Sequence, residues 1–155
     1  MGKRPFTLPP GSLIAFLFIG YGIYLRIAQY AFNRSLWLDE AMLIYNVSGR
    51  DFIGLLQMLD YDQVAPFGFL WLTKVLVIFL GKSEFVLRLF PLIAGILSLL
   101  FYYYLARKYS SYQLIMVGVT MFALSYPLLR YSTEFKPYSS DVLFALILQD
   151  RKSVV

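Results

Sequence analysis

Residues 85–106 read FVLRLFPLIAGILSLLFYYYLA, and this run decides the fold class. A helix needs about 20 apolar residues to cross the roughly 30 Å hydrocarbon core of a bilayer, and this run carries a single charge, Arg88. Residues 12–32, SLIAFLFIGYGIYLRIAQYAF, form a second run of this kind. It is too long for the core of a signal peptide and no small-residue cleavage site follows it, so it is predicted to be a retained anchor.

The composition excludes an ordinary water-soluble domain. Hydrophobic residues make up 59% of the 155, charged residues 15%, and the mean hydropathy is +0.65, whereas soluble domains have about 45–50% apolar and about 25% charged residues. The net charge of +5 is scattered rather than grouped into a basic face, which argues against nucleic-acid binding. The chain has no Cys and no His, which excludes disulfides, Ser-His and Cys-His catalysis, and imidazole metal sites. Its chemistry must therefore use carboxylates, Lys, Arg, Tyr and backbone groups.

Two further segments extend this pattern: a predicted third span at 112–131 and the beginning of a fourth at 138–149. Residues 1–149 contain no repeats and no low-complexity linkers, so they are predicted to be one membrane unit. The predicted fold is all-α, a polytopic transmembrane helix bundle with an outer loop of juxtamembrane helices at 33–80. Residues 150–155, DRKSVV, can be back-translated into a common sequencing adapter followed by a stop codon. We expect them to be a non-native tail on the N-terminal part of a longer protein.

Residues 64–80 are ambiguous, because the segment is short and has Lys74 near its middle. A central Lys costs about 2.5–3.5 kcal/mol on insertion scales. If the segment lies flat in the outer interface, Arg107 and Lys108 fall in the cytoplasm with the basic residues before the first span. That arrangement obeys the positive-inside rule and is preferred. If the segment crosses, Arg107 and Lys108 lie outside.

The outer loop holds most of the acidic residues. Ala41, Ile44 and Val47 recur at helical spacing, which predicts a short helix that is broken over 48–50. Asp39 and Glu40 would lie in its first turn, where the helix dipole favours anions. Asp51 is predicted to cap a second, membrane-surface helix that runs to Leu59. Five of the nine acids lie in this loop: Asp39, Glu40, Asp51, Asp60 and Asp62.

Asp39 and Glu40 cannot share one role, because neighbouring residues on a helix point about 100° apart. One of them is expected to face a reaction centre while the other pairs with a cation such as Arg34 or Arg88. The structural alternative is that Asp39 only caps the helix. Adjacent carboxylates are poorly spaced for a metal, so no metal is predicted.

A second polar cluster follows the third predicted span, RYSTEFKPY at 130–138. Its structural alternative is a hydrated turn between helices, closed by Pro137. Arg88 lies near the outer end of its span, where it can bind a lipid phosphate or serve as an ordinary interfacial anchor.

Several segments together resemble a known family: SLWLDEA, QVAPFGFLWL, GKSEFVLRLFPLIAG running on to YYYLARKY, and RYSTEFKPYS. In order and spacing they resemble the N-terminal part of polyprenyl-phosphate-sugar-dependent membrane glycosyltransferases. These include the protein O-mannosyltransferases, the aminoarabinose transferases of lipid A, and related bacterial enzymes with the GT-C fold (family 39-like and Rgt-like groups). The resemblance covers nearly the whole chain before residue 150.

The resemblance implies a function and a set of site residues. The expected activity is transfer of a sugar from a polyprenyl-phosphate donor to a glycan, lipid or protein acceptor, at the extracytoplasmic face of a cell membrane and without a further cofactor. It makes Asp39 and Glu40 the catalytic pair, with Asp39 as base in an inverting attack. Where the family usually has His-Pro-Pro or Lys-Pro-Pro, this chain has VAP at 64–66, which removes one cation or imidazole near the donor phosphate. Matching positions make four residues ligands of the substrate or the lipid phosphate: Arg88, Glu134, Lys136 and Tyr138.

Two other interpretations remain open. A small non-enzymatic subunit for membrane transport or assembly would use Arg26, Lys74 and Arg88 to line a pathway or a partner contact. The second interpretation is that the chain is a truncated product without activity. The isolated 155-residue chain is expected not to transfer sugar.

Overall fold

The computed structural model describes residues 12–152, and every regular element in that range is helical. Two 3₁₀ turns, Gly54–Leu56 and Asp60–Asp62, lie between the second and third α-helices. The all-α prediction is therefore confirmed for this part of the chain. The α-helices are α1 (Ser12–Phe32), α2 (Leu38–Gly49), α3 (Phe67–Leu80), α4 (Glu84–Tyr109), α5 (Tyr112–Leu124), α6 (Tyr126–Tyr131) and α7 (Tyr138–Lys152).

Two of these helices, α1 and α4, are long and apolar enough to cross a membrane. Both agree closely with the spans predicted from the sequence. The α4 helix begins one residue earlier than predicted, because the Ser83 hydroxyl accepts a hydrogen bond from the Val86 N–H and caps it. At 14 and 13 residues, α3 and α5 are shorter than the about 20 residues that a crossing takes.

The long helices pack into a bundle, in which α1, α4 and α5 contact one another and α7 lies against α4. Gly22 lets α1 approach α5 closely, since a Cβ at this position would lie 2.9 Å from the Ala123 Cβ. The buried centre of this bundle consists of Ile19, Leu99, Ala106, Ile115, Val119 and Ala123.

A second hydrophobic cluster lies where α1 ends and α4 begins, and we call it the cap. It joins α2, the 3₁₀ turn at Gly54–Leu56, α3 and the start of α4. Phe135, which follows α6, is completely buried in it and packs against Phe69 at 5.4 Å between ring centroids. The segment after α6 is thereby fixed to the cap. The buried cap residues are Leu43, Val47, Leu55, Leu59, Phe69, Leu70, Val77, Leu87 and Phe135.

The prediction of one uninterrupted helix over 112–131 is wrong. The α5 helix ends at Leu124, Ser125 has a non-helical ψ of 114°, and α6 restarts at Tyr126. Pro127 explains the break, because proline has no N–H to continue the hydrogen-bond ladder and its ring opposes the preceding turn. Arg26 of α1 is fully buried here and donates to the Ala123 carbonyl at 3.2 Å, near the end of α5.

The loop between α2 and α3 is partly as predicted. The first predicted helix of this loop is present, since α2 covers Leu38–Gly49, and its place beside a membrane stays a prediction. The second is wrong, because Asp51 caps only a short turn, accepting from the Gly54 N–H at 2.7 Å. Arg50 donates to the carbonyls of Gly54 and Met58, which satisfies this backbone outside a regular helix.

The fourth predicted segment forms α7, which continues past residue 149 to Lys152. Within the predicted tail, Asp150 pairs with Lys108 of α4 at 2.8 Å. The origin of that tail stays a prediction. Residues 1–11 and 153–155 lie outside the described residues.

Candidate active site at the end of the bundle

Three segments that are distant in the sequence meet between the bundle and the cap. The first follows α1, where Asn33 takes a positive φ of 43° and turns the chain toward α2. The second is the beginning of α4, which carries Arg88. The third is the segment at 132–137, which Phe135 fixes to the cap. Each of them contributes charged side chains to one network.

Glu40 lies at the centre of this network and is completely buried. Its carboxylate pairs with the Arg88 guanidinium, with Oε2 at 3.0 Å from Nη2 and Oε1 at 3.4 Å from Nε. The Phe135 N–H donates to Oε1 at 2.6 Å, and the Trp37 N–H donates to Oε2 at 3.4 Å. One carboxylate therefore joins α2, α4 and the segment after α6.

Arg88 is 1% exposed, and its remaining hydrogen bonds are made inside the protein. Nη1 donates to the Asn33 Oδ1 at 3.2 Å and to the Arg34 carbonyl at 2.6 Å. The Arg88 guanidinium is enclosed and bonded on Nε, Nη1 and Nη2, so the expected phosphate contact would require one of these bonds to break. In this arrangement Arg88 and Glu40 hold α2, α4 and the segment after α6 together.

Asp39, next to Glu40 in the chain, is in a different environment. Its side chain is 44% exposed, and its Oδ2 lies 2.6 Å from the Lys136 Nζ. Gln63 completes a triangle: its Nε2 donates to Asp39 Oδ1 and its Oε1 accepts from Lys136 Nζ, each at 2.9 Å. The hydrogen bond from Lys136, together with that from Gln63, lowers the pKa of Asp39 below its ordinary value. Asp39 is thus an ionised, accessible carboxylate.

Glu134 is 1% exposed and binds two arginines through one oxygen. Its Oε1 lies 2.9 Å from the Arg34 Nη2 and 2.6 Å from the Arg130 Nε. The Arg130 guanidinium also stacks over the Trp37 ring, 5.3 Å from the centroid. Glu134 therefore orients two cations at the surface of the network.

An open cavity of about 350 Å³ lies beside these groups. Its walls are mostly aromatic, and one of them is formed by the Tyr131 and Tyr138 rings, 4.7 Å apart. Tyr138 is close enough to Asp39 and Glu134 to interact electrostatically with both. The cavity is lined by Trp37, Tyr126, Pro127, Arg130, Tyr131, Glu134 and Tyr138.

All six site residues predicted from the sequence lie in this region: Glu40, Arg88 and Glu134 are connected through Arg34, Asp39 and Lys136 pair with each other, and Tyr138 lines the cavity. Helix geometry had also predicted that one acid of the pair would bind a cation such as Arg34 or Arg88, and Glu40 does pair with Arg88. That the other acid, Asp39, faces a reaction centre stays a prediction. Gln63 was missed, because nothing marks one glutamine within a polar stretch. Within residues 12–152 no cluster of three or more carboxylates is placed to hold a metal ion.

Comparisons with protein-family models, with curated proteins and with solved structures found no match for this chain. What the site can do therefore follows from its own side chains. These are an accessible carboxylate paired with a lysine, two arginines on a buried glutamate, and a cavity with aromatic walls. Such a set suits a ligand that combines an anionic group with hydroxyls.

Proposed function

We propose that this chain belongs to a membrane glycosyltransferase that moves a sugar from a polyprenyl-phosphate donor to an acceptor at the extracytoplasmic face. The observation that carries the proposal is Asp39, an exposed carboxylate held by Lys136 and close enough to Tyr138 of the aromatic cavity to interact with it electrostatically. A base and a cation in contact are what transfer from a phosphate leaving group needs, because a proton must be removed at one atom while negative charge grows at another.

The proposed step is an inverting displacement. The acceptor hydroxyl oxygen forms a bond to the anomeric carbon of the sugar while the bond from that carbon to the phosphate oxygen breaks. The electron pair of the broken bond stays on the phosphate, and the hydroxyl proton passes to Asp39. Lys136, which holds Asp39 in the absence of ligand, can donate to the departing phosphate instead. That exchange makes Asp39 a stronger base when the donor is bound, since the pKa of Asp39 rises once its cation moves away.

The other members of the network support this step. Glu40 and Arg88 position α2 so that Asp39 points outward, and Glu134 orients Arg34 and Arg130. The rings of the cavity offer flat apolar faces with polar edges, which suit the alternating C–H and O–H faces of a sugar.

A membrane location is supported by α1 and α4, which are long and apolar enough to cross. The cap adds a second observation, because its irregular loops expose large apolar side chains. Met58 is 90% exposed, Val64 88% and Ile53 70%. Such a surface is unfavourable in water and suits the interface of a bilayer, where a lipid-linked donor also lies.

The test is Asp39→Asn in the product of the complete gene, reconstituted in proteoliposomes with a polyprenyl-phosphate sugar. General-base catalysis contributes about 10²–10⁴-fold, so we expect turnover to fall by at least about 100-fold while membrane abundance stays normal. Asp62→Asn is the matched control: Asp62 is exposed and has a φ of 52°, which Asn tolerates. Unchanged turnover in Asp39→Asn would eliminate this assignment.

In the alternative interpretation, the chain is a non-enzymatic transport or assembly subunit. Its pathway or partner contact would be lined by Arg26, Lys74 and Arg88. In the structure Arg26 donates to the carbonyls of Gly22 and Ala123, and Lys74 donates to the Val47 carbonyl at 2.9 Å. Arg88 is paired with Glu40. Each of the three cations thus binds a protein group, which favours a structural role for them over a conducting one.

A further inference from the structure

We propose that the lipid phosphate of the donor binds between Arg34 and Arg130, with its isoprenoid tail in a groove along the end of α1. This assignment rests on the proposed function and deepens it, because it names where the lipid lies. It assigns the lipid phosphate to Arg34 and Arg130 instead of Arg88, the residue expected from the family resemblance.

The groove has a volume of about 370 Å³ and is separate from the aromatic cavity. On one side it follows the last two turns of α1, and on the other it is bounded by α6 and the residues after it. The wall is apolar along α1 and becomes cationic at the end nearest the network. It is lined by Leu25, Ala28, Gln29, Phe32, Arg34, Tyr126, Arg130 and Thr133.

The cationic end carries a surplus of positive charge. Arg34 and Arg130 share the single carboxylate of Glu134, and both contact its Oε1. Arg34 also has its Nε buried without a hydrogen-bond partner among residues 12–152. A buried donor without a partner is unfavourable, and guanidinium groups match phosphate oxygens in geometry as well as charge. The end of the groove is thus complementary to a phosphate.

The groove and the cavity meet at two residues, since Tyr126 and Arg130 line both. A glycosyl phosphodiester has the same arrangement, with a phosphate between a hydrocarbon chain and a sugar. A phosphate at Arg130 would place its tail in the groove along α1 and its sugar in the aromatic cavity. Charge complementarity and this continuity identify the occupant as a single-chain isoprenoid phosphate, not a two-chain phospholipid of the bulk bilayer.

The test measures binding without turnover, using the gene product in phosphatidylcholine nanodiscs and a radiolabelled C20 isoprenoid monophosphate. Arg130→Gln removes a phosphate ligand, and Ala28→Trp fills the groove at an exposed position where the fold is not disturbed. We expect each variant to bind at least about tenfold more weakly, which is the effect of losing one charge-assisted hydrogen bond or the tail contact. Arg107→Gln, which removes one positive charge near the far end of α4, is the matched control and should bind normally.

Unlabelled competitors identify the occupant. The C20 isoprenoid monophosphate should displace the label, while the C20 alcohol, inorganic phosphate and phosphatidylglycerol should each be at least about tenfold less effective. Displacement by phosphatidylglycerol as effective as that by the isoprenoid phosphate would overturn the assignment, and so would unchanged binding in both Arg130→Gln and Ala28→Trp.

Asp39→Asn separates this inference from the proposed function. It should keep isoprenoid-phosphate binding and lose transfer. If binding depends on the groove but Asp39→Asn still transfers sugar, the catalytic assignment fails and the groove stands. If Asp39→Asn loses transfer while Arg130→Gln and Ala28→Trp bind the isoprenoid phosphate normally, only the groove assignment fails.

Discussion

Asp39 and Glu40 are consecutive residues with opposite surroundings, one 44% exposed at the side chain and the other completely buried. The helix explains this difference, because one step rotates a side chain by about 100°. Glu40 turns toward α4 and meets Arg88, whereas Asp39 turns toward Lys136 and the solvent. One residue step along the helix therefore separates a buried acid from an accessible one.

Glu40→Gln should be strongly destabilising. It removes the charge that compensates a buried Arg88, and breaking such a buried pair costs about 3–5 kcal/mol. Thermal unfolding in detergent measures the loss. The matched control is Asp60→Asn, which breaks the Arg50–Asp60 pair at the surface, where Asp60 is 49% exposed and the expected cost is below about 1 kcal/mol. Equal shifts in the two variants would mean that Glu40 does not hold the three segments together.

At the residue scale, the sequence identified the charged groups and offered Arg88 as a partner for one acid of the pair, but it did not pair Asp39 with Lys136. Lys136 lies 97 positions after Asp39, and nothing local in the sequence pairs them. The expectation that the two polar clusters meet depended on the sidedness of the spans. The groove between Arg34 and Arg130 could not be predicted either, because it forms only when α1 and α6 pack together.

At the scale of elements, the contact between α1 and α5 depends on the absence of a side chain at one position. A Cβ at Gly22 would lie 2.9 Å from the Ala123 Cβ and 3.2 Å from the Ala123 Cα, which is backbone. Arg26, one turn further along α1, donates to the Ala123 carbonyl near the break before α6. Arg26 thereby binds the end of α5 next to α6, the helix that carries Arg130.

Gly22→Ala should therefore destabilise the protein by about 1–3 kcal/mol, the usual cost of overpacking a close contact. The control is Gly20→Ala in the same helix, where a Cβ would meet nothing within 4 Å. That variant should be neutral or up to about 1 kcal/mol more stable, because Ala is the better helix former. Melting temperatures in detergent measure both. A Gly22→Ala variant as stable as Gly20→Ala would contradict the close packing of α1 on α5.

The long apolar helices were predicted well, because hydropathy alone identifies them. The prediction failed where a proline or a side-chain hydrogen bond to the backbone interrupts a helix. The bounds of α1 match the prediction, and those of α4 differ by three residues at most, since a long apolar run has few alternatives. The break at Ser125 was missed although Pro127 signals it, because the apolar run continues through both residues. The second juxtamembrane helix was expected from the spacing of its leucines, but Arg50 binds the carbonyls that such a helix would use.

At the scale of the whole molecule, residues 12–152 form two hydrophobic clusters, the bundle around Leu99 and the cap around Phe135. The charged network lies between them, where α1 ends and α4 begins. If α1 and α4 cross a membrane in opposite directions, the connection 33–83 and the segment 132–138 lie on the same side. Ser110, at the far end of α4, then lies on the other side. In that arrangement Asp39 and Lys136 lie at the same face of the membrane, as the proposed transfer from a lipid-linked donor requires.

Single-cysteine labelling tests that claim most directly, and the natural absence of cysteine leaves no background. Ser35→Cys, Tyr138→Cys and Ser110→Cys each place a thiol at an exposed position. With a membrane-impermeant maleimide added to intact cells, Ser35→Cys and Tyr138→Cys should label, whereas Ser110→Cys should label only after permeabilisation. Labelling of Ser35→Cys and Tyr138→Cys from opposite faces would contradict the account.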